Sequence, residues 1–248
     1  MHFKIITPAY NVDKWISTNL MSVLGQEHQD YEVILLDDIS TDKTVQTAKK
    51  LVENDSRFKI VVNDEKCEAL KNICRGIDML NPNDEDIIVL LDGDDWLKDK
   101  RVLSKVREVY EEKDCLMTYG SYITYPHGQT PWNVSQYPQE TIDSMKYRED
   151  PQWRASHLRT FKYGLWKRIK TEDLQNSKGE YYMYGWDLAI MFPLLEMSGN
   201  RQEYISEHLY VYNRSNPLNC DKINHQLQLS EDREVRQQPK YERVNYDN

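Results

Sequence analysis

Hydrophobic and polar residues follow two alternating periods along the first half of the chain. Short, nearly continuous apolar runs occur at Phe3–Thr7, Tyr31–Leu36, Phe58–Val62 and Ile87–Leu91, and such runs are typical of buried strands. Apolar residues between and after them recur at helical spacing, over residues 12–24, 45–52, 70–80 and 103–110. Strands that alternate with helices predict an α/β fold with a parallel sheet and right-handed connections.

The pattern changes after a last strand-like stretch, Leu116–Tyr125. Residues 126–153 are rich in Pro, Gln, Tyr and Trp without a clear period, and a long irregular segment in a compact domain indicates a binding loop or lid. Regular patterning returns at Leu158–Ile169, at Trp186–Met197 and in the strand-like Leu209–Tyr212. The segment from about Asp221 is polar, so we expect it to be peripheral. The chain therefore divides into residues 1–125, residues 126–220 and a polar C-terminal tail, 221–248.

Charge and hydropathy exclude several classes of protein. The 248 residues include 32 Lys and Arg against 41 Asp and Glu, a formal net charge of −9, which argues against nucleic acid as the partner. Hydrophobic residues make up 39% of the chain, enough for a folded core. No apolar run approaches the ~20 residues that span a bilayer. The sequence enters a strand at once, without a signal peptide, and we expect a cytoplasmic protein.

The four cysteines, Cys67, Cys74, Cys115 and Cys220, have neither the paired spacing of a zinc site nor a disulfide framework.

Acidic and turn-forming clusters are more informative, because three of them directly follow strands: Thr7–Asn11, Asp37–Asp42 and Asp92–Trp96. Ligands of open parallel sheets bind beyond the carboxyl ends of the strands. Carboxylates crowded there repel one another, and a divalent cation or hydrogen-bond donors would relieve the repulsion. Oxygen ligands favour Mg²⁺ or Mn²⁺ over zinc.

These clusters resemble motifs of the family 2 glycosyltransferases, from Lys4 to about Tyr212. The motifs are Pro8–Asn11, the Asp-Asp-x-Ser-x-Asp-x-Thr pattern in Val33–Thr44, the Asp-x-Asp motif in Leu90–Asp95, and Trp186–Leu195. The resemblance implies the GT-A fold, a Rossmann-like nucleotide-diphospho-sugar transferase fold whose central, mostly parallel sheet is flanked by helices. Residues 1–125 would form its nucleotide-sugar-binding half, and residues 126–220 the acceptor-binding and catalytic half of the same domain.

The resemblance also implies the contacts of a UDP-sugar donor. Asp38 would accept a hydrogen bond from uracil N3–H, and Tyr10 would lie against the base. Asp92 would contact the ribose or metal-bound water. The full set of implied nucleotide and donor contacts is Pro8, Ala9, Tyr10, Asp38, Asp92, Gly93, Asp95 and His157.

A metal ion is the second implication. Asp94 would ligate Mn²⁺, or Mg²⁺, at the diphosphate, and His208 is a second candidate ligand. Asp95 would hold the donor sugar or complete the metal shell. The physical reason is general: an acidic protein that binds an anionic diphosphate needs a cation between the two, and that cation also stabilises the leaving group.

Asp187 is the candidate general base. An aspartate with a pKa of ~3.9 is ionised at neutral pH, and a helix N-terminus favours the charged form. It would take the proton of an acceptor hydroxyl during a single inverting displacement at the anomeric carbon. The alternative is that Asp187 only caps its helix. Trp186 and Trp153 are candidate acceptor contacts, with ordinary packing as the alternative for Trp153.

Three departures from the family pattern bear on these predictions. Ile39 replaces the usual glycine after the acid pair, so we expect that turn to avoid positive φ, which is unfavourable for a β-branched residue. Trp186 stands where an acid commonly precedes the base. The Gln-x-x-Arg-Trp motif of processive synthases is absent, which favours a single-addition enzyme.

The segment Ser156–Lys162 lies before a short predicted helix and has two possible interpretations. It is either part of the site, where His157 would face the acceptor or donor sugar, or an exposed turn.

The acceptor is a protein or a glycan. Residues 156–166 and 212–217 resemble glycosyltransferase domains that modify hydroxylysine in collagen-like proteins, including viral ones. That resemblance implies UDP-glucose or UDP-galactose as the donor, and some enzymes of that chemistry retain anomeric configuration. Two other functions stay open: a catalytically inactive relative that binds nucleotides or glycans, and a sugar-phosphate nucleotidyltransferase. The second is disfavoured because Thr7–Tyr10 contains neither Gly nor Arg.

Overall fold

The computed structural model describes residues 1–219 and 224–244. The strands are β1 Phe3–Ala9, β2 Tyr31–Asp37, β3 Phe58–Val62, β4 Ile87–Leu90, β5 Trp96–Leu97, β6 Met117–Tyr125, β7 Ser156–Lys162 and β8 Gln202–Asn213. The α-helices are α1 Asp13–Leu24, α2 Thr44–Leu51, α3 Glu68–Leu80, α4 Val102–Lys113, α5 Gln139–Ser144, α6 Tyr163–Trp166, α7 Trp186–Ser198 and α8 His225–Gln237. Short 3₁₀ helices occupy Thr171–Leu174 and Gly199–Arg201.

The strands form one sheet in the order β3-β2-β1-β4-β7-β6-β8-β5. The pairs β1–β2, β1–β4, β2–β3 and β6–β8 are parallel. Strand β7 runs antiparallel to both β4 and β6, and β5 antiparallel to β8. The prediction of an α/β fold with a central, mostly parallel sheet is therefore confirmed.

Both faces of the sheet are covered by helices. Alternate residues of β1, such as Ile5 and Ile6, enter different core clusters, because successive side chains of a strand point to opposite faces. Helices α3 and α7 pack on one face, and α1, α2 and α4 on the other. From Leu188 to Ser198 helix α7 is buried and, apart from Glu196 and Ser198, apolar, as expected of a helix inside a core. None of the helices in the described ranges has the length and apolar character needed to cross a membrane.

Strand register brings the predicted site segments to one edge. Ala9, the last residue of β1, pairs with Asp37 at the end of β2. Leu90, the last residue of β4, pairs in parallel with Ile6 and antiparallel with Arg159. The loops that follow β1, β2 and β4 therefore open at the same edge, and β7 delivers its own side chains beside them.

The segment Ser156–Lys162 is a central strand, and the alternative of an exposed turn is wrong. Its residues Ser156 to Phe161 are buried, because β7 lies between β4 and β6 in the middle of the sheet. The short helix predicted after it is present as α6. Residues 126–153 are mostly irregular, as predicted, but their large side chains do not share one role: Trp132 is 88% exposed whereas Tyr137 is 2% exposed.

The polar tail lies at the surface over the residues that the structure describes: within 224–244 only Glu231 and Val235 are buried, and these two residues pack against the domain. In α8, Val235 is fully buried and Glu231 is 6% exposed. Arg148 donates a hydrogen bond of 2.6 Å to the carbonyl of Val235, and Glu196 accepts one of 3.0 Å from the amide of Tyr241. Hydrogen bonds and apolar packing together hold the tail in place, since Val235 belongs to the main core cluster and Tyr241 and Val244 pack against that cluster. Cys220 and residues 221–223 and 245–248 lie outside the described residues.

The turn after β2 adopts the backbone conformation that we expected it to avoid. Ile39 has φ of 65° and is 39% exposed. Asp37 is buried and its Oδ2 accepts a hydrogen bond of 2.9 Å from the amide of Ser40, so the chain must reverse within two residues. The reversal requires left-handed backbone at Ile39, which strains a residue with a branched Cβ.

Ile39→Gly is therefore expected to stabilise the fold. Relief of left-handed strain is worth ~1–3 kcal/mol, and the greater freedom of glycine in the unfolded chain offsets ~0.5–1 kcal/mol of it. Urea unfolding of wild type, Ile39→Gly and Ile39→Ala measures the difference. Alanine keeps the Cβ and should gain less than glycine. A glycine variant less stable than wild type would mean that contacts of the Ile39 side chain outweigh the strain.

Candidate active site

A cleft of about 280 Å³ lies at the edge where β1, β2 and β4 end. Ten of the predicted site residues line it: Pro8, Ala9, Tyr10, Asp38, Asp92, Asp94, Asp95, His157, Trp186 and Asp187. Gly93 lies just behind this wall, whereas Trp153 and His208 are not part of the lining. Segments that are far apart in sequence thus meet in one place, from Tyr10 near the start of the chain to the beginning of α7.

Asp38 is held by a set of hydrogen-bond donors at one end of the cleft. Its Oδ1 accepts from the Asn63 side chain at 2.9 Å and from the Cys67 amide at 2.7 Å, and its Oδ2 accepts from the Glu68 amide at 3.0 Å. Burial raises the pKa of Asp38, but these hydrogen bonds outweigh burial and leave the pKa below its usual value. Asp38 is therefore a fixed, ionised acceptor.

Tyr10 stands across from this carboxylate and is 37% exposed. The ammonium of Lys66 lies 3.1 Å from the centre of the Tyr10 ring and 3.9 Å from Asp38 Oδ2. The carboxylate, the ring and the ammonium together form a small polar and aromatic recess. A recess with these groups offers a stacking face and paired hydrogen-bonding atoms to a planar heterocycle.

The loop between β4 and β5 carries three acids with different surroundings. Gly93 permits its close approach to β1, since a Cβ there would lie 2.9 Å from both the Ala9 Cβ and the Pro8 oxygen. Asp95 is 1% exposed and accepts hydrogen bonds from the Tyr210 hydroxyl at 2.6 Å and the Asn213 amide at 2.7 Å. The geometry thus ties Asp95 to β8 and gives the predicted sugar contact no support.

Asp92 and Asp94 both line the cleft. Burial and the Asp94 charge raise the pKa of Asp92 to about 7. Asp94 Oδ2 accepts a hydrogen bond of 2.7 Å from the side chain of Asn216, in the turn after β8. Two neighbouring acids whose negative charges repel each other on a cleft wall form an environment that a cation stabilises.

The described residues contain no cluster of three or more His, Cys, Asp or Glu side chains that could hold a metal ion unaided. Mg²⁺ commonly binds one or two carboxylates and completes its shell with substrate phosphates and water. Asp94, with Asp92 beside it, fits a cation of that kind. His208 does not, because it lies on β8 outside the cleft lining. The residue that reaches Asp94 from this side is Asn216.

His157 lies on the cleft wall in β7, 8% exposed. Its ring stacks on Tyr210 with a centroid distance of 4.4 Å and on Tyr212 at 5.6 Å. Burial, and to a lesser degree the Arg159 charge, lowers the pKa of His157 well below its usual range. The imidazole is therefore neutral at pH 7 and presents hydrogen-bonding nitrogens rather than a positive charge.

Asp187 lies opposite the acidic loop, at the start of α7. The residue that caps this helix is Gly185, so the alternative that Asp187 is only the cap is wrong. Arg159 donates to Asp187 Oδ2 at 2.9 Å, and its guanidinium lies 5.3 Å from the Trp186 ring. Burial raises the pKa of Asp187, and the charge of Arg159 offsets part of the rise. The arrangement presents an oriented carboxylate to the cleft.

Several residues of this site escaped the sequence analysis. Asn216, Asn219 and Tyr212 come from the turn and strand end at β8, and Gln228 comes from α8. Trp153, predicted at the acceptor, instead packs edge-on against Phe192 with a centroid distance of 5.4 Å. The stretch 212–217 gave a family resemblance but no role, and nothing in the sequence pattern connected α8 with the cleft.

A family model covers most of the chain. The model of Glycosyl transferase family 2 matches residues 4–193, which span all of the cleft loops except the turn after β8 and α8. The chain belongs to this family.

Named relatives extend the similarity. TuaG of Bacillus subtilis, named a putative teichuronic acid biosynthesis glycosyltransferase, is 31% identical over 128 residues, 51% of this chain and 49% of TuaG. GlyG, a glycosyltransferase of Streptococcus pneumoniae, is 24% identical over 220 residues, 85% of this chain and 70% of GlyG. A Haemophilus influenzae glycosyltransferase is 31% identical over 48% of this chain and 46% of its own length. The chain thus spans about half the length of TuaG and the Haemophilus protein.

Solved structures agree on the fold. S. aureus TarS residues 1–349 in complex with UDP-GlcNAc has a TM-score of 0.67 at 19% identity, over 90% of this chain and 62% of that one. The Pyrobaculum calidifontis mannosyltransferase PcManGT, in complex with GDP-Man and Mn²⁺, has a TM-score of 0.57 at 17% identity, over 85% of this chain and 56% of that one. The GT-A prediction is confirmed.

Proposed function

We propose that this glycosyltransferase moves a hexose, glucose or galactose, from a UDP-sugar to an acceptor hydroxyl by a metal-dependent inverting displacement. The observation that carries the proposal is the convergence of the Asp38 recess, the Asp92–Asp95 loop and Asp187 in one cleft. The recess suits a uracil ring, with N3–H donating to Asp38 and Tyr10 beneath the base. A complex of TarS with UDP-GlcNAc favours a uridine nucleotide over the guanosine nucleotide of PcManGT.

Asp94 and Asp92 would hold Mn²⁺ or Mg²⁺ next to the diphosphate. When bound, the cation neutralises the charge that develops on the leaving diphosphate. The side chain of Asn216 holds one oxygen of Asp94 and so fixes the direction of that carboxylate. The Mn²⁺ in PcManGT supports this choice of ion.

Asp187 would accept the proton of the acceptor hydroxyl as that oxygen attacks the anomeric carbon from the side opposite the nucleotide. Arg159 and the Leu188 amide, which donates to Asp187 Oδ1 at 3.0 Å, orient the carboxylate for this step. Trp186 would lie against the acceptor. The names of TuaG and of a relative from Erwinia amylovora, an amylovoran biosynthesis glycosyltransferase, favour a glycan acceptor over the hydroxylysine of a collagen-like protein.

Nucleotide release tests the proposal before any acceptor is known. Wild type is incubated with Mn²⁺ and UDP-glucose, UDP-galactose, UDP-N-acetylglucosamine or UDP-glucuronate, and UDP is quantified with and without EDTA. One hexose donor hydrolysed slowly and only with metal would support the proposal. Binding of UDP-sugars without release would instead favour the inactive, binding-only relative, and preference for a donor outside glucose and galactose would overturn the choice of hexose.

Asp94→Asn is expected to reduce nucleotide release strongly, because a neutral amide is a poor ligand for a hard divalent cation. Removal of a ligand costs more than the 10–100-fold that supporting residues typically contribute, so a loss above about 100-fold is expected. Thermal unfolding should match wild type. The matched control is Asp99→Asn on the same segment beyond β5, and equal release by both variants would remove Asp94 from the metal site.

Arg159→Gln is expected to move the acid limb of the pH–kcat profile to higher pH. Asp187 acts as a carboxylate, so activity is lost as pH falls through its pKa. The Arg159 charge lowers that pKa, and its removal lets the pKa rise, so the loss begins at a higher pH. Arg57→Gln, which breaks the pair with Asp55 far from the cleft, is the control. Coincident acid limbs for Arg159→Gln and wild type would contradict the pairing.

A further inference from the structure

Helix α8 reaches the segment that leads into the proposed base. The side chain of Glu231 is buried beneath Met183–Gly185, the three residues before α7. Its Oε2 accepts hydrogen bonds from the Tyr184 amide at 2.7 Å and the Gly185 amide at 2.8 Å, and its Oε1 accepts from the Met183 amide at 3.3 Å. One carboxylate therefore fixes three successive peptide groups of the connection that ends at Trp186 and Asp187.

The packing around this contact is close. A Cβ at Gly185 would lie 3.1 Å from the Cβ of Glu231, so α8 touches the backbone of the segment itself. One helical turn earlier, Gln228 lines the cleft, and residues three apart share one face of a helix. The same face of α8 thus forms part of the cleft wall and holds the start of α7.

We propose that Glu231 is a positioning residue for sugar transfer, which fixes the backbone before α7 so that Asp187 faces the acceptor. The inference rests on the proposed role of Asp187. A carboxylate that accepts three amide hydrogen bonds forms strong, charge-assisted contacts, and a small displacement of a catalytic group lowers the rate without loss of substrate binding. The C-terminal segment is in this view a part of the active site rather than an appendage.

Glu231→Gln tests the proposal with Glu234→Gln as the matched control. Glu234 is on the same helix and accepts a hydrogen bond of 2.6 Å from the Ser177 amide, away from the cleft. The side-chain amide that Glu231→Gln introduces can accept at only one atom, and its NH₂ group opposes the remaining backbone N–H. With the most active UDP-sugar of the panel and Mn²⁺, Glu231→Gln is expected to lower kcat by about 10–100-fold with KM for the donor unchanged, whereas Glu234→Gln matches wild type.

Hydrogen exchange of the same proteins separates this inference from the function itself. In Glu231→Gln the amides of Met183, Tyr184 and Gly185 are expected to exchange faster than in wild type, whether or not any donor is turned over. If wild type releases no nucleotide, the proposed function fails while the exchange result still tests the contact. Exchange and kcat equal to those of Glu234→Gln would overturn the positioning role.

A second variant approaches the contact from the other side. Gly185→Ala places a methyl group against Glu231 and displaces α8 by a few tenths of an ångström. We therefore expect kcat to fall at constant donor KM, as in Glu231→Gln, but by a smaller factor. Gly164→Ala is its control, since a Cβ there would lie 3.1 Å from the carbonyl oxygen of Asp84, a comparable crowding outside the cleft. Equal kcat values for the two alanine variants would contradict the proposal even if Glu231→Gln did not fold.

Discussion

Asp187→Asn is expected to lower kcat for sugar transfer by about 10²–10⁴-fold, the contribution typical of a general base. The substitution keeps the volume of the side chain, and its amide oxygen can still accept from Arg159. It removes the one lone pair with the basicity to take a hydroxyl proton. Donor affinity should not change, because the Asp38 recess and the Asp92–Asp95 loop lie on other elements of the cleft.

The measurement pairs turnover with binding. UDP release gives kcat, titration calorimetry with UDP and Mn²⁺ gives donor-side affinity, and Asp143→Asn, at an exposed position of α5, is the control. Proton NMR of the product gives the anomeric configuration, inverted if a single displacement operates. Wild-type kcat for Asp187→Asn would remove Asp187 from the reaction, and a retained configuration would exclude the single displacement.

The position of the site could be predicted from sequence because of one topological fact. Parallel strands end at one edge, so acids that directly follow β2 and β4 must lie near each other. Asp38, Asp92 and Asp94 are at that edge as predicted. Asp187 could be added only by family resemblance, since its helix lies more than 90 residues beyond the acidic loop and no spacing rule connects them.

Arg159 shows why the rest could not be predicted. Four of the six residues Ser156–Phe161 in strand β7 are polar, which is also typical of a solvent-exposed segment. Its burial comes from β4 and β6, whose paired residues are about 70 and 40 positions earlier. Only the folded sheet brings Arg159 to Asp187, so the pair leaves no local signal.

The contacts of the tail and the conformation of Ile39 could not be predicted for a related reason. Hydropathy predicts a polar helix such as α8 at the surface, where most of it lies, but it does not identify Glu231 as a residue that the fold buries. Backbone preferences correctly indicate that positive φ is unfavourable for Ile39, but the prediction that the turn avoids it is wrong. The hydrogen bond from the Ser40 amide to Asp37 fixes the turn in that conformation. In both cases tertiary contacts override a local preference.

Arg148→Met is expected to destabilise the fold by about 3–5 kcal/mol, the cost of leaving a buried charge without its partner. Arg148 donates to both carboxylate oxygens of Glu196, at 2.6 and 3.0 Å, and the side chains of the two residues are 2% and 0% exposed. Without Arg148, Glu196 retains the Tyr241 amide as its remaining donor. The loss of the hydrogen bond to Val235 also loosens α8.

Urea unfolding of two further variants shows whether the Arg148–Glu196 pair or the packing of the tail accounts for the loss in the free energy of unfolding. Lys240→Met breaks an exposed pair with Glu149 and should cost less than about 1 kcal/mol. The double variant Arg148→Met/Glu196→Leu removes both charges, so it should recover much of the loss, apart from the share due to the Val235 contact. Equal free energies of unfolding for Arg148→Met and Lys240→Met would mean that the buried pair contributes no more to stability than an exposed one. A double variant as unstable as Arg148→Met would mean that the lost contact with α8, rather than the unpaired charge, causes the loss of stability. In that case Arg148→Met should also lower kcat, because α8 holds the segment at the start of α7.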